Sequence, residues 1–189
     1  MNSTPSLNVA ARRGSRAIGA MFFSVFGAAW LVLWSNRTFG LHFPVLGLVA
    51  TGSLVLFGCS LMRYRENREA LAVEAELPHS RRAGRIFNMV NAAQWILIFV
   101  MINVLTNIGR AAWIMPAVMG IIGLHFLPLA HVFSYRPHYV AGCALMLLAG
   151  LYPLLAAGGP ADPIGCLGAG LILWSSAAWA LMADSSRGR

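Results

Sequence analysis

Six stretches of about 20 apolar residues, parted by short polar gaps, dominate this 189-residue chain and leave few folds open to it. They run over Ala17–Trp34, Gly40–Met62, Ile86–Ile108, Ala112–Phe133, His138–Ala157 and Pro163–Ala183. The hydrocarbon core of a bilayer, ~30 Å thick, takes about 20 residues of helix, so each stretch is long enough to cross it. No alternation of polar and apolar residues marks a strand barrel. A soluble domain of this size cannot bury six helices that are apolar all round. Charged residues make up only 11% of the chain, against about 25% in soluble domains, too few to clothe a surface facing water. The sequence predicts an all-α polytopic membrane protein, a bundle of six transmembrane helices. Residues 1–16 read as a basic tail, 17–184 as the membrane domain and 185–189 as a second short tail.

Arginine placement sets the expected orientation. All 14 basic residues are arginine. Twelve of them fall in the N-terminal tail, the segment between stretches two and three, the turn between stretches four and five, and the C-terminal tail. Only Arg37 and Arg110 fall on the other side. The positive-inside rule then puts both termini in the cytoplasm, as an even number of crossings requires. Trp30, Trp34, Phe39, Phe43 and Trp113 are expected near the outer interface, and Tyr64, Tyr135, Tyr139 and Trp179 near the inner one. Arg12, Arg13 and Arg16 ahead of an apolar run resemble the start of a signal peptide. The run ends in bulky Trp30–Trp34 without a small-residue cleavage site, so a retained helix is the reading. Asn36-Arg37-Thr38 fits a glycosylation pattern but lies in a very short outer turn, where it reads as coincidence.

The one long connection is 63–85. Its middle, Glu66–Leu77, is made of strong helix formers and is followed by Pro78, which stops a helix. It reads as a solvated extension of the second helix held by Glu–Arg pairs, or as a docking surface for a membrane or cytoplasmic protein partner. Arg12-Arg13-Gly14-Ser15-Arg16 and Arg81-Arg82-Ala83-Gly84-Arg85 are alike, but positive-inside anchoring produces such clusters unaided. The arginines form no basic stripe on a soluble face, which argues against nucleic acid as a partner.

Chemistry-bearing residues are few. Cys59, Cys143 and Cys166 are an odd set inside apolar runs, with neither disulfide nor zinc spacing, and read as packing residues. There is no metalloprotease, nucleophile-elbow or P-loop motif and no carboxylate deep in a span, so an enzyme or an ion-coupled carrier is disfavoured and no cofactor is expected. His42 and His125 lie at different depths and cannot clamp one haem iron. His131 and His138, near the inner surface, offer only two ligands for a metal.

The polar content of the spans is more telling. Pro128 cannot donate to the Leu124 carbonyl, which is freed beside His125, and Pro116 is expected to free another near the outer end. Counting from the Gly109-Arg110 turn puts Gln94 and His125 at one depth, roughly 12 Å from the cytoplasmic edge. Ser24, Ser53 and Ser175 fall near that level. Asn88, Asn91 and Gln94 share one face of the third helix, within about 120°. This layer supports two readings: hydrogen bonds between helices, or a polar pocket with His125 as its titratable member.

The run Gly123-Leu124-His125-Phe126-Leu127-Pro128-Leu129-Ala130, with His138-Tyr139-Val140 and Arg85-Ile86-Phe87-Asn88, resembles small, uncharacterised multi-pass membrane proteins of bacteria. The resemblance covers helices three to five. It implies a bacterial membrane protein and brings no activity or substrate. With the all-arginine, alanine-rich composition of a GC-rich genome, it makes the inner membrane the expected location. The function expected from the sequence is binding or transport of a small organic or lipid-like ligand in the polar layer of His125, Gln94, Asn91, Asn88, Ser24, Ser53 and Ser175. The alternative is a non-catalytic accessory or assembly subunit of a larger membrane complex.

Overall fold

The computed structural model describes residues 5–183, and among these the protein is all helix apart from its turns. Helix α1 spans Pro5–Phe39, α2 Phe43–Ala75, α3 Pro78–Asn107, α4 Ile114–Val132, α5 Arg136–Leu155 and α6 Ile164–Met182. Short 3-10 turns lie at Ala111–Trp113 and Gly159–Ala161. All six helices are long and apolar enough to cross a membrane, so the chain is a multi-pass helical membrane bundle.

The first three helices outrun their apolar stretches. With 35 residues α1 is about 52 Å long at ~1.5 Å per residue, well beyond the ~30 Å of hydrocarbon. Arginine is a good helix former, so Arg12, Arg13 and Arg16 extend the helix rather than end it. On the neighbouring strip of α2, helix formers continue past Met62 to Ala75. The two extensions stay in contact. Ala11, Gly14 and Ala70 are buried, and a β-carbon on Gly14 would run into Leu71 and Asn67. Pro78 then does more than stop a helix. Leu77 takes the extended geometry favoured before proline (φ −69°, ψ 141°), and Pro78 opens α3 as its first residue, where no N–H is needed. The segment 63–85 is thereby divided between two helices.

Pro116 differs from its sequence expectation. Because α4 begins only at Ile114, after the 3-10 turn, Pro116 sits in the first helical turn, where its missing N–H leaves no carbonyl stranded. Pro128 alone interrupts the α4 ladder.

Laterally, α1 packs on α2 and α6, α6 on α5, α5 on α4, and α4 on α3. Helices α2 and α3 follow each other in sequence yet lie at opposite flanks and scarcely touch. The central core comes from α1, α4, α5 and α6, through Phe23, Trp30, Met119, Phe126, Leu145, Tyr152 and Leu173 among others. From α3 only Ile98 is buried. Glycine pairs bring helices close. A β-carbon on Gly123 of α4 would come within 2.7 Å of the Gly142 carbonyl oxygen of α5, and one on Gly142 within 2.7 Å of the Gly123 oxygen. The Arg63 guanidinium donates to the Leu181 carbonyl at 2.6 Å, placing the end of α6 at the arginine-rich end of the bundle. At the opposite end Trp34 and Phe39 meet edge-on at 5.5 Å, and Tyr152 donates to the Pro160 carbonyl at 3.1 Å.

Candidate functional site

The polar residues expected at one depth sort into separate groups. On α1, Ser24 is fully buried and donates its hydroxyl to the Met21 carbonyl at 2.7 Å. Its own backbone carbonyl accepts from the Ser53 hydroxyl of α2 at 3.1 Å and from the Trp174 indole N–H of α6 at 3.0 Å. One backbone oxygen thus ties three helices together. Room for the indole is made by Gly27 on α1 and Gly52 on α2, since a β-carbon on either would overlap the Trp174 ring. Every polar group here finds its partner within the protein, as buried groups generally must. This node joins helices and leaves nothing over for a ligand. Ser175, next along α6, is exposed.

The second group surrounds Phe126 at the arginine-rich end. The Arg16 guanidinium of α1 lies 5.0 Å from the centre of the Tyr135 ring, which precedes α5. Tyr135 meets His138 edge-on at 4.8 Å. His138 stacks on Phe126 of α4, with centroids 5.8 Å apart and ring planes 18° apart. Phe23 of α1 closes edge-on against Phe126 at 5.3 Å and His138 at 5.7 Å. On the other side His125 meets Phe126 edge-on at 5.5 Å and faces the Val90 backbone of α3. Nδ1 of His125 and Nδ1 of His138 are both buried and have no hydrogen-bond partner among the described residues.

Helix geometry explains how these side chains converge. Arg16, Ala20 and Phe23 follow one another at i, i+4 and i+7, a single stripe along α1. His138 is the third residue of α5, and His125 lies seven residues before the end of α4. They therefore flank the same ring, about two turns below the α4–α5 turn on one side and within its first turn on the other. The wall of α3 carries Val90, Gln94 and Ile98 at i, i+4 and i+8. The regular hairpin sets His125 opposite Gln94, whereas His125 lies level with Val90, one turn nearer the arginine-rich end. The 3-10 turn Ala111–Trp113 contributes to that shift, because it rises ~2.0 Å per residue against ~1.5 Å in an α-helix. Asn91 and Gln94 are half-buried, while Asn88 is exposed.

Several residues of this group were not picked out by sequence. Arg16 and Tyr135 read as interfacial anchors and His138 as a surface histidine. The α1 stripe follows from helical spacing, but the ring it points toward belongs to a segment more than 100 residues away. His131 and His42 are exposed. Among the described residues no three histidine, cysteine or acidic side chains converge to hold a metal ion. Cys166 is buried in the core, while Cys59 and Cys143 are exposed.

An imidazole nitrogen without a proton accepts hydrogen bonds from hydroxyl or N–H donors. Leaving a buried polar atom unpaired costs about 1–3 kcal/mol. Two such atoms around one aromatic stack form a setting for a mostly apolar molecule carrying one or two donors. No protein-family model, curated protein or solved structure matches the chain.

Proposed function

We propose that this membrane protein binds a small organic or lipid-like molecule, and passes it between membrane and cytoplasm, at the histidine–aromatic cluster of α1, α4 and α5. The observation that carries the reading is the pair of buried, unpartnered nitrogens, Nδ1 of His125 and Nδ1 of His138, set around Phe126. Gln94 and Asn91 on the facing wall of α3 supply amides to the same ligand. Ser24 and Ser53 are spent on the bonds that join α1, α2 and α6 and stand outside this site, as do the exposed Ser175 and Asn88. In this reading the arginine-rich end is cytoplasmic, both termini lie on that side, and the host membrane is a bacterial inner membrane.

Thermal unfolding of purified protein, with and without a total lipid extract of the host membrane, tests the site. His125→Phe and His138→Phe keep ring area and remove the acceptors. Extract at a hundredfold excess over Kd stabilises the wild type by about 2.7 kcal/mol. The double variant gains nothing from it and, free of two unpaired buried nitrogens, is at least as stable without extract. Equal stabilisation of both proteins by the extract would remove the site. Reporter fusions at each terminus and at Gly159 test the orientation, which a periplasmic signal from either terminus would overturn.

A second reading, an accessory or assembly subunit, is favoured by α3. That helix packs along one face on α4 and leaves Met89, Trp95, Ile96 and Phe99 exposed. Purification in a mild detergent as a lone monomer, with no co-purifying protein, counts against it.

A further inference from the structure

At the end of the bundle away from the arginine-rich side, α3, α4 and α5 enclose an open cleft of about 360 Å³. Met101 and Leu105 of α3 form one wall, Trp113 and Pro116 the second, and Ala149 and Gly150 of α5 the third. The sequence explains the gap. α3 ends at Asn107 and the chain makes a 3-10 turn before α4 begins, which sets the top of α4 off from α3. Pro116 carries no N–H, and Ala149 and Gly150 are too small to fill the space from α5. The α3 stripe that meets α4 lower down, through Val90 and Ile98, continues into this cleft through Met101 and Leu105.

The volume equals about a dozen waters at ~30 Å³ each, yet the lining is hydrocarbon and thioether with an indole at its rim. Water finds no hydrogen-bond partners in such a place, and an alkyl chain loses nothing by entering it. Met101 lies six residues from the end of α3, so the cleft reaches about 9 Å below that end, the depth of the upper part of an acyl chain. Arg110 stands at the same end of the helices. It precedes the 3-10 turn, and its carbonyl accepts the Trp113 N–H at 2.9 Å, so it lies within one turn of the cleft's rim. It is exposed, and among the described residues it and Arg37 are the only arginines at this end.

We propose that this cleft holds one acyl chain of an anionic phospholipid, whose phosphate group is recognised by Arg110. The occupant is a lipid of the leaflet on the Arg110 side, and the site is separate from the histidine cluster and independent of its reading. Charge complementarity selects the headgroup, and the apolar cleft holds the chain.

Native mass spectrometry of the full-length protein in detergent, titrated with phosphatidylglycerol or with phosphatidylcholine of the same chains, tests the site. The wild type retains one phosphatidylglycerol more tightly than phosphatidylcholine. Arg110→Gln weakens the first about fivefold, the worth of one arginine near a charged headgroup, and the second less, because the choline cation already offsets that lipid's phosphate. Gly150 lines the cleft and a β-carbon on it meets nothing within 4 Å, so Gly150→Leu sets a branched side chain at the cleft and narrows it. It weakens retention of both lipids while the melting temperature without lipid holds or rises, because leucine outranks glycine in a helix. Undiminished retention by Gly150→Leu would overturn the cleft as the site. An unchanged preference for phosphatidylglycerol in Arg110→Gln would overturn the assignment of the headgroup.

Discussion

The same substitution, glycine to alanine, should change stability in opposite directions at two positions of this bundle. At Gly47, on the exposed side of α2, an added β-carbon meets nothing within 4 Å. The variant should gain helix propensity, up to about 1 kcal/mol. At Gly123 the added carbon would sit 2.7 Å from the Gly142 carbonyl oxygen and 2.7 Å from the Met146 γ-carbon, about 0.7 Å inside ordinary contact. The oxygen belongs to a helix backbone and cannot swing aside, so α4 and α5 must part. A gap of 0.5–1 Å forfeits roughly a quarter to a half of each contact's dispersion energy. Overpacking of this kind costs about 1–3 kcal/mol. Set against the propensity gain, Gly123→Ala should lose up to about 2 kcal/mol net. Because both share the propensity gain, the two variants should differ by the overpacking cost, about 1–3 kcal/mol. Reversible unfolding in mixed micelles, titrated with a denaturing detergent and followed by helical circular dichroism, reads this difference directly. If Gly123→Ala proves as stable as Gly47→Ala, the close approach of α4 and α5 is wrong. Lipid offers no hydrophobic force between helices, so such steric fits are the main source of association and the effect should not be diluted elsewhere.

Two further outcomes follow from local geometry. Trp174→Phe removes the indole bond to the Ser24 carbonyl and should cost about 1 kcal/mol. Combined with Ser53→Ala, which donates to the same oxygen, the losses should depart from additivity by roughly 0.5 kcal/mol or more in a double-mutant cycle. At the α5–α6 turn, the Asp162 carboxylate accepts the Ile164 N–H at 2.9 Å and the Gly158 N–H at 3.0 Å, which hold its carboxyl below the usual carboxylate range. A depressed folded-state value means the turn's added stability is present above pH ~4 and is lost as the pH falls through the lower value. Amide exchange of Gly158 and Ile164 should therefore quicken below pH ~4 in the wild type. In Asp162→Asn it should lack that step, and an identical pH profile in both would refute the assignment.

The comparison of chain and structure separates two kinds of information. Existence and length of the six helices were legible because bilayer thickness imposes a count of about 20 apolar residues, and hydropathy records that count directly. That the arginines lie outside the apolar runs was legible for a similar reason, since charge is costly in hydrocarbon wherever the helix lies. Helix ends were less legible. Arg12–Arg16 and Glu66–Ala75 are polar enough to leave the membrane yet remain good helix formers, so α1 and α2 continue where the apolar runs stop.

Lateral order was not legible. Lipid tails are as apolar as leucine, so hydropathy does not say which helix neighbours which. That choice rests on shape: Trp174 fits against Gly27 and Gly52, and Gly123 fits against Gly142. The first fit joins segments far apart in the chain, the second two helices of one hairpin, and in neither does one partner alone betray the other. The candidate site shows the same division. His125 stood out as a lone titratable group beside a proline-freed carbonyl, visible in one segment. That His138, Tyr135, Phe23 and Arg16 gather around the same Phe126 ring was decided by the docking of α1 and α5 on α4, a tertiary event that brings segments over 100 residues apart to one depth.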